Sequence, residues 1–243
     1  MAGGKVYIIG AGPGDWELVS LKGLKRLKES DVVLYDFLAC EGLLGFAKDN
    51  AELICVGKAD GLHILEQSQI NALLYKKARE GKTVARLKGG DPFVFSRGIE
   101  EALYLKRKGI DFEIIPGITS AFAAPESFGI PLTRKGRYCS VAILTGRKSN
   151  GSKIDAPKAD TLIYLMAVRN VSNVVKAVLG SGREKSTPCA FIEKGTTEKE
   201  RIVTGNLGNI IGKVESYSVS SPAVFIIGKI INYGKSIRKD KFK

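Results

Sequence analysis

Lys5-Val6-Tyr7-Ile8-Ile9-Gly10-Ala11-Gly12-Pro13-Gly14-Asp15 decides the fold. Lys5 to Ile9 reads as a strand, and Gly10 to Gly14 as the loop that ends it. Working outward, Ser20 to Glu29 has the spacing of an amphipathic helix, with Leu21, Leu24 and Leu27 on one side. Val32 to Tyr35 and Leu53 to Val56 read as strands, Glu66 to Glu80 as a helix carrying Ile70, Leu73, Leu74 and Ala78. Thr83 to Leu87 is a strand, Gly98 to Lys108 a helix, and Phe112 to Ile115 a strand. Strands alternating with helices predict an α/β domain with a mostly parallel sheet.

Pro116-Gly117 breaks the series, so a first domain is expected over residues 1–116 and a second over 117–243. Ser120 to Phe128 reads as a short helix. Ser140 to Thr145, Thr161 to Leu165, Cys189 to Ile192 and Ala223 to Ile227 read as strands of an α+β arrangement with more antiparallel pairing. Lys148 to Lys158 has loop composition. The basic tail, with Lys235, Arg238, Lys239, Lys241 and Lys243, is expected to fray.

The 243 residues carry 38 Lys and Arg against 25 Asp and Glu, a net charge of +13. That excess suits an anionic partner, whether nucleic acid, a membrane surface or an acidic small molecule. The basic residues are spread along the chain and form no zinc-finger or RNP-like string, so a nucleic-acid binder is a lesser alternative. Cys40, Cys55, Cys139 and Cys189 form no C-x-x-C pair, which fits free thiols in a reducing compartment. No apolar run approaches a membrane span, and a cytoplasmic protein is the expectation.

Ligands of open parallel sheets sit at the carboxyl ends of the strands. Here those ends carry Gly10 to Asp15, Asp36, Gly57-Lys58, Lys88-Gly89-Gly90-Asp91-Pro92 and Pro116-Gly117-Ile118-Thr119-Ser120. Five such ends in succession point to one ligand face. A dinucleotide fingerprint fits poorly, because Asp15 stands where G-x-G-x-x-G needs its third glycine and Pro13 lacks an N–H for a pyrophosphate. There is no P-loop, and the only histidine is His63, which disfavours a metal site or a Ser-His-Asp triad.

The string Gly10 to Asp15, Val56-Gly57-Lys58, Arg86 to Pro92, Pro116 to Ser120 and Gly129-Ile130-Pro131-Leu132-Thr133 together resemble the tetrapyrrole methylases. Val33 to Asp36, Glu66 to Leu74, Asp160 to Met166 and Thr204-Gly205 resemble the branch that methylates uroporphyrinogen III. The resemblance runs over roughly residues 5 to 232. It implies two α/β domains with a cofactor cleft between them, a homodimer, and S-adenosyl-L-methionine converted to S-adenosyl-L-homocysteine. The implied reaction methylates C2 and C7 of uroporphyrinogen III, giving precorrin-2 by way of precorrin-1; a precorrin-4 C11-methyltransferase is the alternative.

By the same resemblance, cofactor contacts fall on Pro13, Gly89, Gly90, Asp91, Val94, Thr119, Ser120, Met166 and Gly195. The acid–base pair falls on Asp36 and Lys58, whose alternative role is an ion pair closing the cleft. His63 and Arg134 are candidates for the substrate, an anionic tetrapyrrole. Three positions depart from the branch: Phe37 and Ala59 stand where arginines are usual, and Arg134 where a histidine is usual. Arg134 is therefore expected to take over part of the carboxylate binding, since its planar fork suits a carboxylate.

Overall fold

A computed structural model describes residues 4–36, 41–57, 65–147 and 152–241. The chain splits into two compact units, Met1–Thr119 and Ser120–Lys243. The first runs β1 (Lys5–Gly10), α1 (Leu21–Glu29), β2 (Val32–Tyr35), α2 (Glu41–Leu44), β3 (Glu52–Cys55), α3 (Gln67–Arg79), β4 (Val84–Lys88), α4 (Gly98–Arg107) and β5 (Asp111–Ile115). All its strand pairs are parallel, in the order β3-β2-β4-β1-β5.

Helices cover both faces of this sheet, so its central strands are buried and mostly apolar, with Arg86 and Lys88 of β4 the charged exceptions. Val6, Ile8, Leu34 and Val84 pack with Ile70 and Leu74 of α3 and Leu105 of α4. Tyr7, Ile9, Val33 and Leu87 point the other way, onto Leu27 of α1 and Leu43 of α2. Local chemistry fixes the helix starts. The Ser20 hydroxyl accepts from the Gly23 N–H at 3.1 Å, and Glu66 with Gln69 closes a capping box on α3.

One sequence expectation for α1 fails. Leu21 is 87% exposed, and the buried side of the helix is Gly23 and Leu27. A Cβ on Gly23 would stand 3.0 Å from Ile9 Cγ2, so α1 lies close on β1 through its glycine, and that seam turns Leu21 outward.

The second unit opens with α5 (Ser120–Ser127) and continues β6 (Val141–Thr145), β7 (Thr161–Leu165), α6 (Val171–Gly180), β8 (Pro188–Glu193), β9 (Arg201–Asn206), α7 (Ile210–Ser216), β10 (Ala223–Ile227) and α8 (Ile231–Ile237). Its order is β6-β7-β10-β8-β9; β6 and β7 are parallel and the other pairs antiparallel. Tyr164, Phe191 and Phe225 pack onto the valines of α6, with the two phenylalanine rings stacked at 4.2 Å. Ile163, Ile192 and Ile226 cover Ala121, Ala124 and Ile231 on the opposite face.

Four elements of this unit escape the sequence reading. The α6 segment is rich in valine, yet Val171, Val174, Val175 and Val178 are spaced i, i+3, i+4, i+7 and form a buried helical stripe. The β9 strand pairs only with β8 and is half polar; α7 is short; and α8 falls partly in the stretch expected to fray. Beyond α8 the Lys241 ammonium is held by the Ser127 carbonyl at 3.2 Å and by the Glu200 carboxylate. No helix among the described residues is long and apolar enough to cross a membrane.

Candidate active site

The loops that leave β1, β4 and β5 meet backbone to backbone at the carboxyl edge of the parallel sheet. Gly12 and Gly90 exchange two hydrogen bonds, Gly12 N–H to Gly90 O at 3.2 Å and Gly90 N–H to Gly12 O at 2.7 Å. A Cβ on Gly10 would lie 2.4 Å from Gly117 N, and one on Gly117 2.3 Å from Gly90 O. Side chains at 10 and 117 are therefore excluded by contact. Gly90 differs. Its φ of +67° is a left-handed conformation, and an added Cβ would meet nothing nearer than Thr119 Cα at 3.9 Å. Space beside Gly90 is open while its neighbours are packed shut.

Asp91 fixes this arrangement. One carboxylate oxygen accepts from the Phe93 N–H at 2.8 Å and the other from the Gly117 N–H at 3.0 Å, clasping the β4 loop to the β5 loop. Thr119 is buried beside Gly90, Val94 is half-buried one turn on, and Pro13 is half-buried between Gly12 and Gly14. The structure thus brings Pro13, Gly89, Gly90, Asp91, Val94 and Thr119 to one edge of the first unit.

Asp36 lies at the same edge, just past β2, where its N–H bonds to the Leu87 carbonyl at 3.3 Å. Its carboxylate accepts from Arg86 Nη2 at 2.6 Å, and Lys88 Nζ stands 4.0 Å away. Arg86 Nε and Lys88 Nζ each reach Glu101 Oε1 of α4 at 3.1 Å. Side-chain exposure is 2% for Arg86, 6% for Lys88, 0% for Glu101 and 30% for Asp36, so of these four only Asp36 opens appreciably to solvent. Burial opposes the Arg86 charge, but Glu101 and Asp36 outweigh it and hold the guanidinium above its ordinary value. Burial, reinforced by Arg86, holds Lys88 below the ordinary lysine value against the pull of Glu101 and Asp36.

In the second unit, β7 and β8 both run antiparallel to β10, and Leu165 and Ile192 both pair with Val224. Met166 and Gly195 therefore follow strands that end at the same edge of the sheet, the strands themselves being two spacings or about 10 Å apart. Met166 has φ +56° and is 47% exposed, so it does not fill the core. Gly195 lies between Lys194 and Thr196, both at positive φ, and a Cβ on it would stand 2.5 Å from Ala124 Cβ. Close approach to α5 is a packing reason for that glycine. Ser120 is the first residue of α5. Arg134 donates to the Tyr233 hydroxyl and lies over its ring at 4.8 Å, on an exposed surface.

Residues 5–211 match the sequence model of the tetrapyrrole (corrin/porphyrin) methylases. The chain belongs to this family. It is 48% identical, over 94% of its length and 97% of the relative's, to a uroporphyrinogen-III C-methyltransferase of Methanocaldococcus jannaschii. It superposes with a TM-score of 0.80 at 40% identity, over 94% of this chain and 99% of the other, on a Thermus thermophilus uroporphyrin-III C-methyltransferase complexed with S-adenosylhomocysteine. A cobalt precorrin-4 methyltransferase gives a TM-score of 0.81 at 29% identity, over 93% and 95% of the two chains.

For a tetrapyrrole methylase, the open flank of Gly90, bordered by the buried Thr119, is a cradle that a Cβ would fill. A flank without a side chain fits the close approach of a bulky ligand such as an adenosyl amino acid. Lys58 and His63, with Phe37 and Ala59, lie outside the described residues. Sequence reading missed the Arg86–Glu101 pair and the part Lys88 plays in it. A signal was present: Arg86 is a charge in the middle of a buried strand whose other residues before Lys88 are apolar. Glu101, by contrast, reads as one of two acids in the first turn of α4, the usual place for solvated carboxylates.

Proposed function

We infer that this methylase transfers methyl groups from S-adenosyl-L-methionine to C2 and C7 of uroporphyrinogen III, giving precorrin-1 and then precorrin-2. The observation that carries the reading is the open glycine cradle at Gly90, in a chain that shares 48% identity with a uroporphyrinogen-III C-methyltransferase along nearly its whole length. When bound, S-adenosyl-L-methionine supplies a sulfonium methyl. Pro13, Gly89, Gly90, Asp91, Val94 and Thr119 of the first unit, with Ser120, Met166 and Gly195 of the second, are the residues that would hold it.

The work left to the chain is chiefly positioning, which can lower a barrier by roughly 7–11 kcal/mol. Asp36 accepts a proton from the methylated macrocycle at its exposed carboxylate, and Lys58 is its partner. A net charge of +13 favours a carboxylate-rich substrate, and Arg134 and His63 bind carboxylates of that substrate. The assembly is a homodimer in the cytoplasm. Incubation with uroporphyrinogen III and S-adenosyl-L-methionine, followed by mass spectrometry, tests the reading. A product carrying two added methyl groups is expected; an unmodified macrocycle would refute it.

A further inference from the structure

Glu101 sits deep under the carboxyl edge of the first sheet and touches no solvent. Its Oε1 accepts from three donors, Arg86 Nε at 3.1 Å, Lys88 Nζ at 3.1 Å and Gln67 Nε2 at 3.2 Å. Its Oε2 is buried without a hydrogen-bond partner among the described residues. A buried carboxylate left half satisfied is a poor device for stability: apolar replacement of buried ion clusters is often neutral or stabilising. Its position has another consequence. Arg86 uses Nε on Glu101, Nη1 on the Leu87 carbonyl at 3.0 Å and Nη2 on Asp36, so its plane is fixed by the first two bonds and Asp36 reads that plane. Gly98 lets α4 start hard against Pro92, where a Cβ would meet the Pro92 carbonyl at 2.3 Å, and this places Glu101 one turn in from the loop that follows β4.

We propose that Glu101 is a positioning residue for the methylation reaction: it shares the charge of Arg86 and Lys88 and fixes the guanidinium that orients Asp36. Among the described residues, the charged groups around Asp36 are two cations from β4, balanced by one further anion from α4. Removing the Glu101 charge leaves both cations to Asp36 alone. They bind its carboxylate more tightly, turn its lone pairs inward and make it a weaker proton acceptor. This inference rests on the acid–base role assigned to Asp36.

The test is a double-mutant cycle on turnover of uroporphyrinogen III by the full chain. Glu101→Gln keeps the shape and removes the charge. It should lower kcat by roughly ten- to a hundredfold, the scale of a misplaced catalytic group, with S-adenosylhomocysteine affinity within about twofold of wild type. In the Asp36→Asn background the same change should cost no further activity, because Glu101 acts through Asp36. Glu101→Asp retains the charge and should recover part of the rate; it also serves as the probe, in the same cycle, if Glu101→Gln does not fold. Equal losses in both backgrounds would overturn the positioning role while leaving Asp36 as the base. Wild-type turnover in Asp36→Asn would overturn the acid–base reading itself, and this inference with it.

Discussion

The two units handle charge in opposite ways. The first buries Arg86, Lys88 and Glu101 beneath its carboxyl edge and exposes one end of that network at Asp36. The second buries apolar residues on both faces of its sheet; its most buried acid, Glu193, accepts from Ser220 and from the half-exposed Arg201, away from any such network. Glycines differ in the same sense. At 10, 12, 90 and 117 they let three loops of the first unit interlock, whereas at 195 a glycine serves one helix contact. A parallel sheet gathers its loops at one edge, where charges can be gathered too. The mixed sheet runs β9 and β10 against β6, β7 and β8, dividing its strand ends between two edges, and offers single residues, Met166 and Gly195, at one of them. Buried charge therefore concentrates in the first unit.

The largest effect that would break this contrast is on turnover. Asp36→Asn should slow the reaction by about 10²–10⁴-fold with unchanged S-adenosylhomocysteine affinity, measured by calorimetry alongside steady-state rates. A smaller effect concerns packing. Gly117→Ala forces a Cβ against the Gly90 carbonyl and should cost about 1–3 kcal/mol in denaturant unfolding. Gly180→Ala, at the end of α6 with nothing within 4 Å, should be neutral or stabilise by up to about 1 kcal/mol. Equal effects of the two changes would show that the interlocked loops are not special.

The smallest effect is on alkaline stability and belongs to the second unit. Burial pushes the Cys189 thiol from 9.0 up to about 12, against a weaker opposing pull from Lys213, and burial raises the Tyr164 hydroxyl from 10.0 to about 12. Both groups are acids whose folded-state value is raised. Their contribution is complete below the unfolded values and is lost as pH climbs through 9 toward 12, because the unfolded chain sheds those protons first. The decline of Tm above pH 9 should be shallower in Cys189→Ala than in wild type. Identical slopes would remove Cys189 from the explanation.

How much of this was legible before the structure depended on sequence distance. Thr161 to Leu165 and Ala223 to Ile227 are continuous apolar runs and could be read residue for residue. The glycine strings that end β1, β4 and β5 could be read as one ligand face, since a single rule about parallel sheets links them. The valine stripe of α6 was overlooked because β-branched composition competed with helical spacing. What could not be read were pairings that only the topology creates. Asp36 meets Arg86 fifty residues on, and Glu101 reaches both cations from a different helix. The same holds for Asp91, whose two oxygens accept from backbone amides of two loops, one of them 26 residues away.

Gly90 and Gly109 offer the most direct test of the cradle. Both have φ +67°, and both have an open flank, with nothing closer than 3.9 Å at Gly90 and nothing within 4 Å at Gly109. They lie at opposite edges of the same sheet, Gly90 after β4 and Gly109 before β5. Alanine at either position pays the same left-handed penalty of about 1–2 kcal/mol, so stability should fall alike. Titration calorimetry with S-adenosylhomocysteine should then separate them. Gly109→Ala should bind as wild type does, and Gly90→Ala should bind roughly tenfold or more weakly, because its methyl occupies the open space. Equal affinity in the two variants would contradict the placement of the cofactor at the β4 loop.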